Sequence, residues 1–142
     1  MNPQADQAAI AALTQKVLAA WAYHDADTFA SVFVDDGTMI LPGSLSTGRD
    51  EIREQMTKEW AGRWKGTQVT GKPISIRVLG PDVILLLSLG GVLHPGETEV
   101  TEANAIRASW LAVRRDGEWK LAAYQNSPRH LVDAAGSTAK VA

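Results

Sequence analysis

The first third of the chain has a helical pattern of apolar positions. Ala12, Val17, Leu18 and Trp21 recur at roughly helical spacing, and alanine-rich neighbours raise the helix propensity of the segment. This pattern predicts an amphipathic helix over about residues 7 to 23.

A second, shorter helix is predicted directly after the first. Asp25 or Asp27 caps its start, and it ends before Asp35-Asp36-Gly37. Three apolar residues at spacings of three and four face inward from it: Phe29, Val32 and Phe33. The β-rich run 38 to 41 follows as a short strand, and Pro42-Gly43 stops it as a turn.

A third helix begins near Arg49 or Asp50 and is stopped by Gly66. Its apolar residues are four apart and form one stripe: Ile52, Met56, Trp60 and Trp64. The two indoles at the C-terminal end of this stripe either fill a core or wall a ligand cavity.

From Thr67 onward the apolar pattern has period two. It predicts four strands, over roughly 68 to 79, 83 to 93, 101 to 115 and 118 to 127. Tight turns join them into an antiparallel meander, and Gly90-Gly91 offers a bulge where the sheet can curl. The fold class is therefore α+β, with helices closing one face of a curled sheet into a cone.

Length and composition predict one domain over residues 1–142, with a core of about 8–130 and a loosely ordered tail over 131–142. The net charge of -2 comes from 14 basic and 16 acidic residues without a basic stripe, which argues against nucleic acid or membrane partners. There is no cysteine, and the N-terminus lacks the pattern of a signal peptide, so we expect a cytoplasmic location.

Four groups of residues together resemble a known family. They are Trp21 with 24–27, Phe29 and Phe33 with 35–37, 48–49 with 51–52, and 114–119 with 124–127. In this order they resemble the SgcJ/EcaC group of SnoaL-like proteins, in the nuclear transport factor 2 superfamily, over about residues 8 to 130.

The resemblance implies a cystatin-like cone whose three helices pack over the concave face of the sheet. It also implies a homodimer packed sheet to sheet and a pocket for an apolar small molecule. Members of this group occur in natural-product gene clusters, including those for enediyne polyketides. The resemblance therefore implies a role in antibiotic biosynthesis.

The inward face of the last two strands decides which side chains reach such a pocket. Trp119 and Leu121 flank a lysine, so strict alternation also turns Ala123 and Gln125 inward. On the preceding strand, two alternating sets compete: Arg107, Ser109, Leu111 and Val113 against Ile106, Ala108, Trp110 and Ala112. Related enzymes carry catalytic groups at the positions of the first set, so we favour it and expect Trp110 on the outer face, covered by a dimer partner.

The machinery of the related enzymes is missing at the matching positions. Where ketosteroid isomerases of this fold carry a phenol and two carboxyl groups, this chain has Val17, Leu41 and Ala108 or Ser109. Where epoxide hydrolases carry an Arg-x-Asp pair, it reads Arg107-Ala108-Ser109. The arginine is retained and the carboxylates are absent.

Other ionisable residues offer no clear substitute. His24 and Asp36 lie at helix boundaries and His94 in a hairpin loop, where capping or solvated roles are typical. No metal-ligand spacing, nucleotide-binding loop or other cofactor motif occurs, so we predict no metal and no cofactor.

These observations predict an apolar pocket with a few fixed polar points. Its expected lining is Phe33, Leu41, Trp60, Trp64, Arg107, Ser109, Leu111 and Gln125. Arg107 either holds a ligand oxyanion or pairs with a buried acid; in a catalytic version it acts with Gln125 on developing charge while Ser109 positions the substrate.

The leading hypothesis is a cofactor-independent binding protein or cyclase- or isomerase-like accessory enzyme for an apolar polyketide or polyene. The rival hypothesis is a non-catalytic, dimeric interaction module with a filled cavity. An interior cavity well below about 300 Å³ favours the rival.

Overall fold

A computed structural model describes residues 3–132 and 138–139. The larger elements, in chain order, are α1 (Pro3–Ala22), α2 (Ala26–Ser31), β1 (Phe33–Leu41), β2 (Ser44–Thr47), α3 (Arg49–Ala61), β3 (Gln68–Gly80), β4 (Val83–Leu93), β5 (Ala105–Arg115) and β6 (Glu118–Pro128). The predicted helices and the four-strand meander are confirmed, and β2 is an additional strand after the predicted turn at Pro42-Gly43.

The helices differ from prediction mainly at their ends. Asp25 is the N-cap of α2, and its carboxylate accepts a hydrogen bond from the Thr28 backbone N–H at 3.1 Å. The chain enters β1 as early as Phe33, so Asp35 and Asp36 lie within a strand. α3 ends at Ala61, before Gly66, so Trp64 lies in the turn after the helix.

The sheet has six strands in the order β2-β1-β6-β5-β4-β3. β3 to β6 pair antiparallel as predicted, and β1 pairs parallel with β6, which brings the N-terminal strand to the end of the meander. This is the predicted α+β, cystatin-like fold, a curved sheet with three helices. Its core joins buried residues from all three helices to one face of the sheet.

The orientation of β5 is opposite to the prediction. Ala108, Trp110 and Ala112 are buried in the core, and Trp110 is 4% exposed, whereas Arg107 is exposed on the other face. We call the core side the inner face and the other side the outer face. The prediction that the Arg107 set faces inward and Trp110 outward is therefore wrong, because the indole fits a core and the guanidinium would need a buried counter-charge there.

A β-bulge explains why the prediction for β6 also failed beyond Leu121. Ala112 pairs with Leu121, but Leu111 pairs with Ala123, so Ala122 is an extra residue. The bulge exchanges the two faces. Trp119 and Leu121 pack inward as predicted, but after the bulge Tyr124 joins the core and Gln125 is exposed.

The predicted bulge at Gly90-Gly91 is also wrong. Both glycines pair in regular register on both sides, and the register of β3 with β4 shifts elsewhere, between Pro73 and Ser75 and between Val78 and Gly80. The glycines instead allow a close approach of neighbouring backbone. A Cβ on Gly90 would lie 1.9 Å from the Thr70 carbonyl oxygen.

The signature residues near the first turn of α3 have structural roles. Arg49 donates to the Phe33 carbonyl oxygen at 2.6 Å and forms an ion pair with Asp35 at 2.8 Å. Glu51 accepts a hydrogen bond from the Thr47 backbone N–H at 3.1 Å. These contacts fix the start of β1 against α3, so this motif builds the frame of the fold.

The C-terminal tail is described only in part. Leu131–Val132 (β7) and Thr138–Ala139 (β8) pair antiparallel. The rest of the tail predicted to be loosely ordered lies outside the described residues. Within the described residues, no helix is long and apolar enough to cross a membrane.

Candidate functional site in the interior of the sheet

An interior cavity lies between α1 and the inner face of the sheet. Its volume is about 30 Å³, and it exists because four positions across β3, β4 and β5 carry small side chains or none: Gly71, Ser88, Gly90 and Ala108. Trp21 and Phe29 close it from the helices, and Val17 and Leu18 of α1 form its roof. Larger side chains at these positions would fill the cavity, which instead stays open beside Tyr124 and Asn126 of β6.

Tyr124 and Asn126 form the polar end of this cavity. The Asn126 amide Nδ2 donates to the Tyr124 hydroxyl at 2.9 Å, and the buried Asn126 Oδ1 has no hydrogen-bond partner among the described residues. The phenolic O–H in turn has no recorded acceptor within the described chain. With the amide in either orientation, the pair therefore leaves at least one donor and at least one acceptor unused.

The indole N–H of Trp110 is satisfied at the cavity. Trp110 Nε1–H donates to Ser88 Oγ at 2.9 Å, and the Trp110 and Tyr124 rings meet edge to face with centroids 4.6 Å apart. This contact fixes the Tyr124 ring between β5 and the amide of Asn126. The hydroxyl is thus held at a defined position.

Burial raises the pKa of Tyr124 to about 12, and the hydrogen bond from Asn126 offsets only part of that increase. Tyr124 is the only titratable residue among those lining the cavity in the described chain. A phenol with such a pKa remains protonated near neutral pH, where it donates a hydrogen bond and cannot act as a base. The cavity can polarise a carbonyl oxygen, but it contains no group suited to removing a proton.

The tyrosine titration gives a direct check of this environment. The sequence has 2 tyrosines, and Tyr23 is 84% exposed, so Tyr23→Phe leaves Tyr124 alone without disturbing the core. We expect the tyrosinate absorbance of this variant to rise with a midpoint of about pH 12, rather than at the ordinary tyrosine pKa of 10.0. The folded protein keeps the Tyr124 proton up to about pH 12, whereas the unfolded chain loses it near pH 10. The contribution of Tyr124 to the free energy of unfolding is therefore complete below pH 10 and is lost as pH rises through 12, a decrease of at most about 2.7 kcal/mol. A midpoint near 10 would show that the phenol is solvated.

The four apolar residues predicted to wall the pocket lie outside the lining of the interior cavity. Phe33, Leu41 and Trp60 are buried in the core and Trp64 packs against it, but none of these four lines the interior cavity. Trp60 meets both Trp21 and Phe29 at ring-centroid distances of 5.7 Å. These four residues therefore do not wall this cavity, which Trp21 and Phe29 line instead.

The predicted polar points come together on the opposite side of the sheet. Arg107, Ser109 and Gln125 line an open groove of about 510 Å³ on the outer face, with Leu87 and the exposed Ile40 among its apolar residues. Leu111 belongs to the same face. Arg107 donates to the Arg129 carbonyl oxygen at 2.9 Å and is exposed on the outer face, away from the interior cavity.

Two of the three histidines, His24 and His94, have packing roles. His24 ends the turn after α1 with a φ of 53°, stacks on Trp60 at 5.4 Å and hydrogen-bonds the Thr67 carbonyl oxygen at 3.1 Å. His94 packs against Trp64 at 5.7 Å. Within residues 3–132 and 138–139, no three histidine or carboxylate side chains are grouped so that they could hold a metal ion.

Sequence reasoning missed Tyr124, Asn126, Ser88 and Trp110. One signal was available: the large inward residues Trp119 and Leu121 are followed by Tyr124, three positions later, which breaks strict alternation. Such a break is typical of a bulge.

Solved structures of similar fold are numerous. A cystatin-like domain of unknown function from Nostoc punctiforme has a TM-score of 0.84 at 24% identity, over 92% of this chain and 81% of that chain. An uncharacterised cystatin-like protein from Caulobacter vibrioides has a TM-score of 0.70 at 25% identity, over 85% and 87%. The hexachlorocyclohexane dehydrochlorinase LinA-type3 from Novosphingobium barchaimii has a TM-score of 0.76 at 19% identity, over 98% and 97%.

A search of curated proteins found no match. The family model of the SnoaL-like domain matches residues 10–130. This range runs from the middle of α1 through β6 and includes every residue that lines the interior cavity. The chain belongs to the SnoaL-like domain family.

Proposed function

We propose that this chain is a cofactor-independent binding protein for a small, largely apolar molecule that carries one hydroxyl or carbonyl group. The observation that carries the proposal is the buried, unpaired Oδ1 of Asn126 beside the Tyr124 hydroxyl, within an otherwise apolar cavity. An unpaired buried polar atom is destabilising by roughly 1 to 3 kcal/mol, and a ligand that supplies the missing partner recovers that free energy.

The family supports a small-molecule function in general terms. Members of the SnoaL-like and nuclear transport factor 2-like fold often bind small molecules or act as isomerases or cyclases. The dehydrochlorinase among the structural neighbours is named for removing hydrogen chloride, a reaction that needs a proton acceptor. The cavity of this chain has no such group, so binding is favoured over acid-base catalysis.

The ligand class follows from the size and polarity of the cavity. The volume of about 30 Å³ is far below the roughly 300 Å³ of common ligand pockets, so even a small ligand must displace side chains of the roof. A polyketide or polyene, membership of the SgcJ/EcaC group and a role in enediyne or other antibiotic biosynthesis remain finer proposals that rest on the sequence motifs.

The test uses two probes of similar size, phenol and toluene. Phenol can donate to Asn126 and accept from Tyr124, whereas toluene can do neither. We expect isothermal titration to show phenol binding at least about tenfold more tightly than toluene, which corresponds to one recovered hydrogen bond of about 1.4 kcal/mol. Equal affinities, or no binding of phenol, would contradict the proposal.

The second candidate function is a dimeric interaction module. Two observations favour it: the interior cavity is small, and the outer face carries an open groove of about 510 Å³ with exposed apolar residues such as Ile40 and Ile74. A second copy packed on this face would cover them.

Sedimentation equilibrium tests that second function. If the outer face is the interface, the protein is a dimer and Leu87→Arg, in the groove, produces monomers. Leu79→Arg is the matched control, because Leu79 is 53% exposed on β3 and lies outside the groove. A monomeric wild-type protein, or a dimer that survives Leu87→Arg, would exclude the interface.

A further inference from the structure

A second, smaller void lies beside the interior cavity. Its volume is about 10 Å³, and its lining shares four residues with the lining of the first: Leu18, Gly71, Ser88 and Trp110. Residues common to two adjacent voids form the partition between them. Both voids lie under α1, so together they mark one path along the inner face of the sheet.

Leu18 is the movable part of this partition. Ser88 and Trp110 are buried and hydrogen-bonded to each other at 2.9 Å, and Gly71 has no side chain. Leu18 is half-buried, and its Cδ2 would lie 3.9 Å from a Cβ placed on Gly71. Since the Leu18 side chain has no polar atom and is only half-buried, it can leave the partition without breaking a hydrogen bond.

The second void is apolar in character. Pro73 and Leu86 contribute to its lining, and the Thr14 hydroxyl that borders it donates to the Ala11 carbonyl oxygen at 2.8 Å. The polar groups of the first cavity, Tyr124 and Asn126, do not reach it. The path therefore has one polar end and one apolar end.

From this arrangement we infer that Leu18 determines the length of the ligand. The polar group of the ligand binds Tyr124 and Asn126, and an unbranched apolar tail runs past Leu18 into the second void. This inference rests on the proposed function of the interior cavity. It specifies an elongated ligand, such as an alkyl-substituted phenol, enol or ketone, rather than a compact polycyclic one.

The test uses a series of 4-alkylphenols with tails from methyl to hexyl, and the corresponding alkylbenzenes, with the full-length protein. Leu18→Ala joins the two voids, so we expect it to raise affinity for 4-propylphenol and longer members at least about tenfold over wild type. The matched control is Leu13→Ala, the same truncation on α1, because Leu13 is half-buried and lines neither void. Circular dichroism verifies that both variants are folded.

The outcomes separate the two claims. If Leu18→Ala binds long alkylphenols no better than Leu13→Ala does, Leu18 does not set ligand length, even if wild type still prefers phenol to toluene. If Leu18→Ala binds each alkylphenol no more tightly than the alkylbenzene with the same tail, Leu18 controls length but Tyr124 and Asn126 do not recognise the hydroxyl, and the proposed function fails. A gain that grows with tail length, with each phenol still bound at least about tenfold more tightly than its alkylbenzene, supports both.

Discussion

Gly90→Ala is expected to prevent stable folding. A Cβ at this position would lie 1.9 Å from the Thr70 carbonyl oxygen and 2.9 Å from the Gly71 Cα, both backbone atoms of the adjacent strand. Rotamer changes cannot relieve such a contact, so β3 and β4 would have to separate along the ladder that carries the cavity floor. We expect a loss of about 4 kcal/mol or more in the free energy of unfolding, a large share of the stability of a domain of this size.

Gly80→Ala provides the matched control for this experiment. Gly80 belongs to β3 of the same ladder, and a Cβ there would meet nothing within 4 Å. Urea unfolding of the three proteins should show Gly80→Ala within about 0.5 kcal/mol of wild type and Gly90→Ala largely unfolded without denaturant. A stable Gly90→Ala protein would mean that β3 and β4 leave room for a Cβ at this position.

Asn126→Leu is expected to abolish the preference for phenol over toluene. The substitution keeps a side chain of similar size and removes both the unpaired acceptor and the donor to Tyr124. Affinity for phenol should fall at least about tenfold while affinity for toluene stays the same or rises, because one hydrogen bond is worth about 1.4 kcal/mol in this comparison. Titration calorimetry with both probes measures the change.

Gln125→Leu is the control for that substitution. It makes the same chemical change one residue earlier on β6, where the bulge at Ala122 has turned the side chain to the outer face. It should leave both affinities unchanged. Loss of phenol binding in Gln125→Leu but not in Asn126→Leu would place the ligand in the outer groove and overturn the assignment of the interior cavity.

The sequence was sufficient for the three helices, the four-strand meander and the fold class because each has its own local signal. The apolar spacing of α1 and α3, the turn at Pro42-Gly43 and the alternation of β3 to β6 all act over a few residues. The ordered motifs also indicated the SnoaL-like family, which the family model confirms. The SgcJ/EcaC group remains a prediction.

The site was not predictable in the same way, because it depends on register and small packing differences. A single extra residue at Ala122 exchanges the faces of β6, so strict alternation from Leu121 assigned Gln125 to the pocket in place of Tyr124 and Asn126. On β5, two alternating sets were both plausible, and analogy with related enzymes favoured the wrong one. Burial of Trp110 with its partner Ser88 decides between them.

The position of a bound probe shows whether a ligand binds in the interior cavity beside Tyr124 and Asn126 or in the outer groove. A crystal of the protein soaked with 4-bromophenol locates the bromine by its anomalous scattering and the hydroxyl by electron density. We expect the hydroxyl within hydrogen-bond distance of both Tyr124 and Asn126, with the ring under α1. Bromophenol in the outer groove beside Arg107, with an unchanged interior cavity, would contradict it.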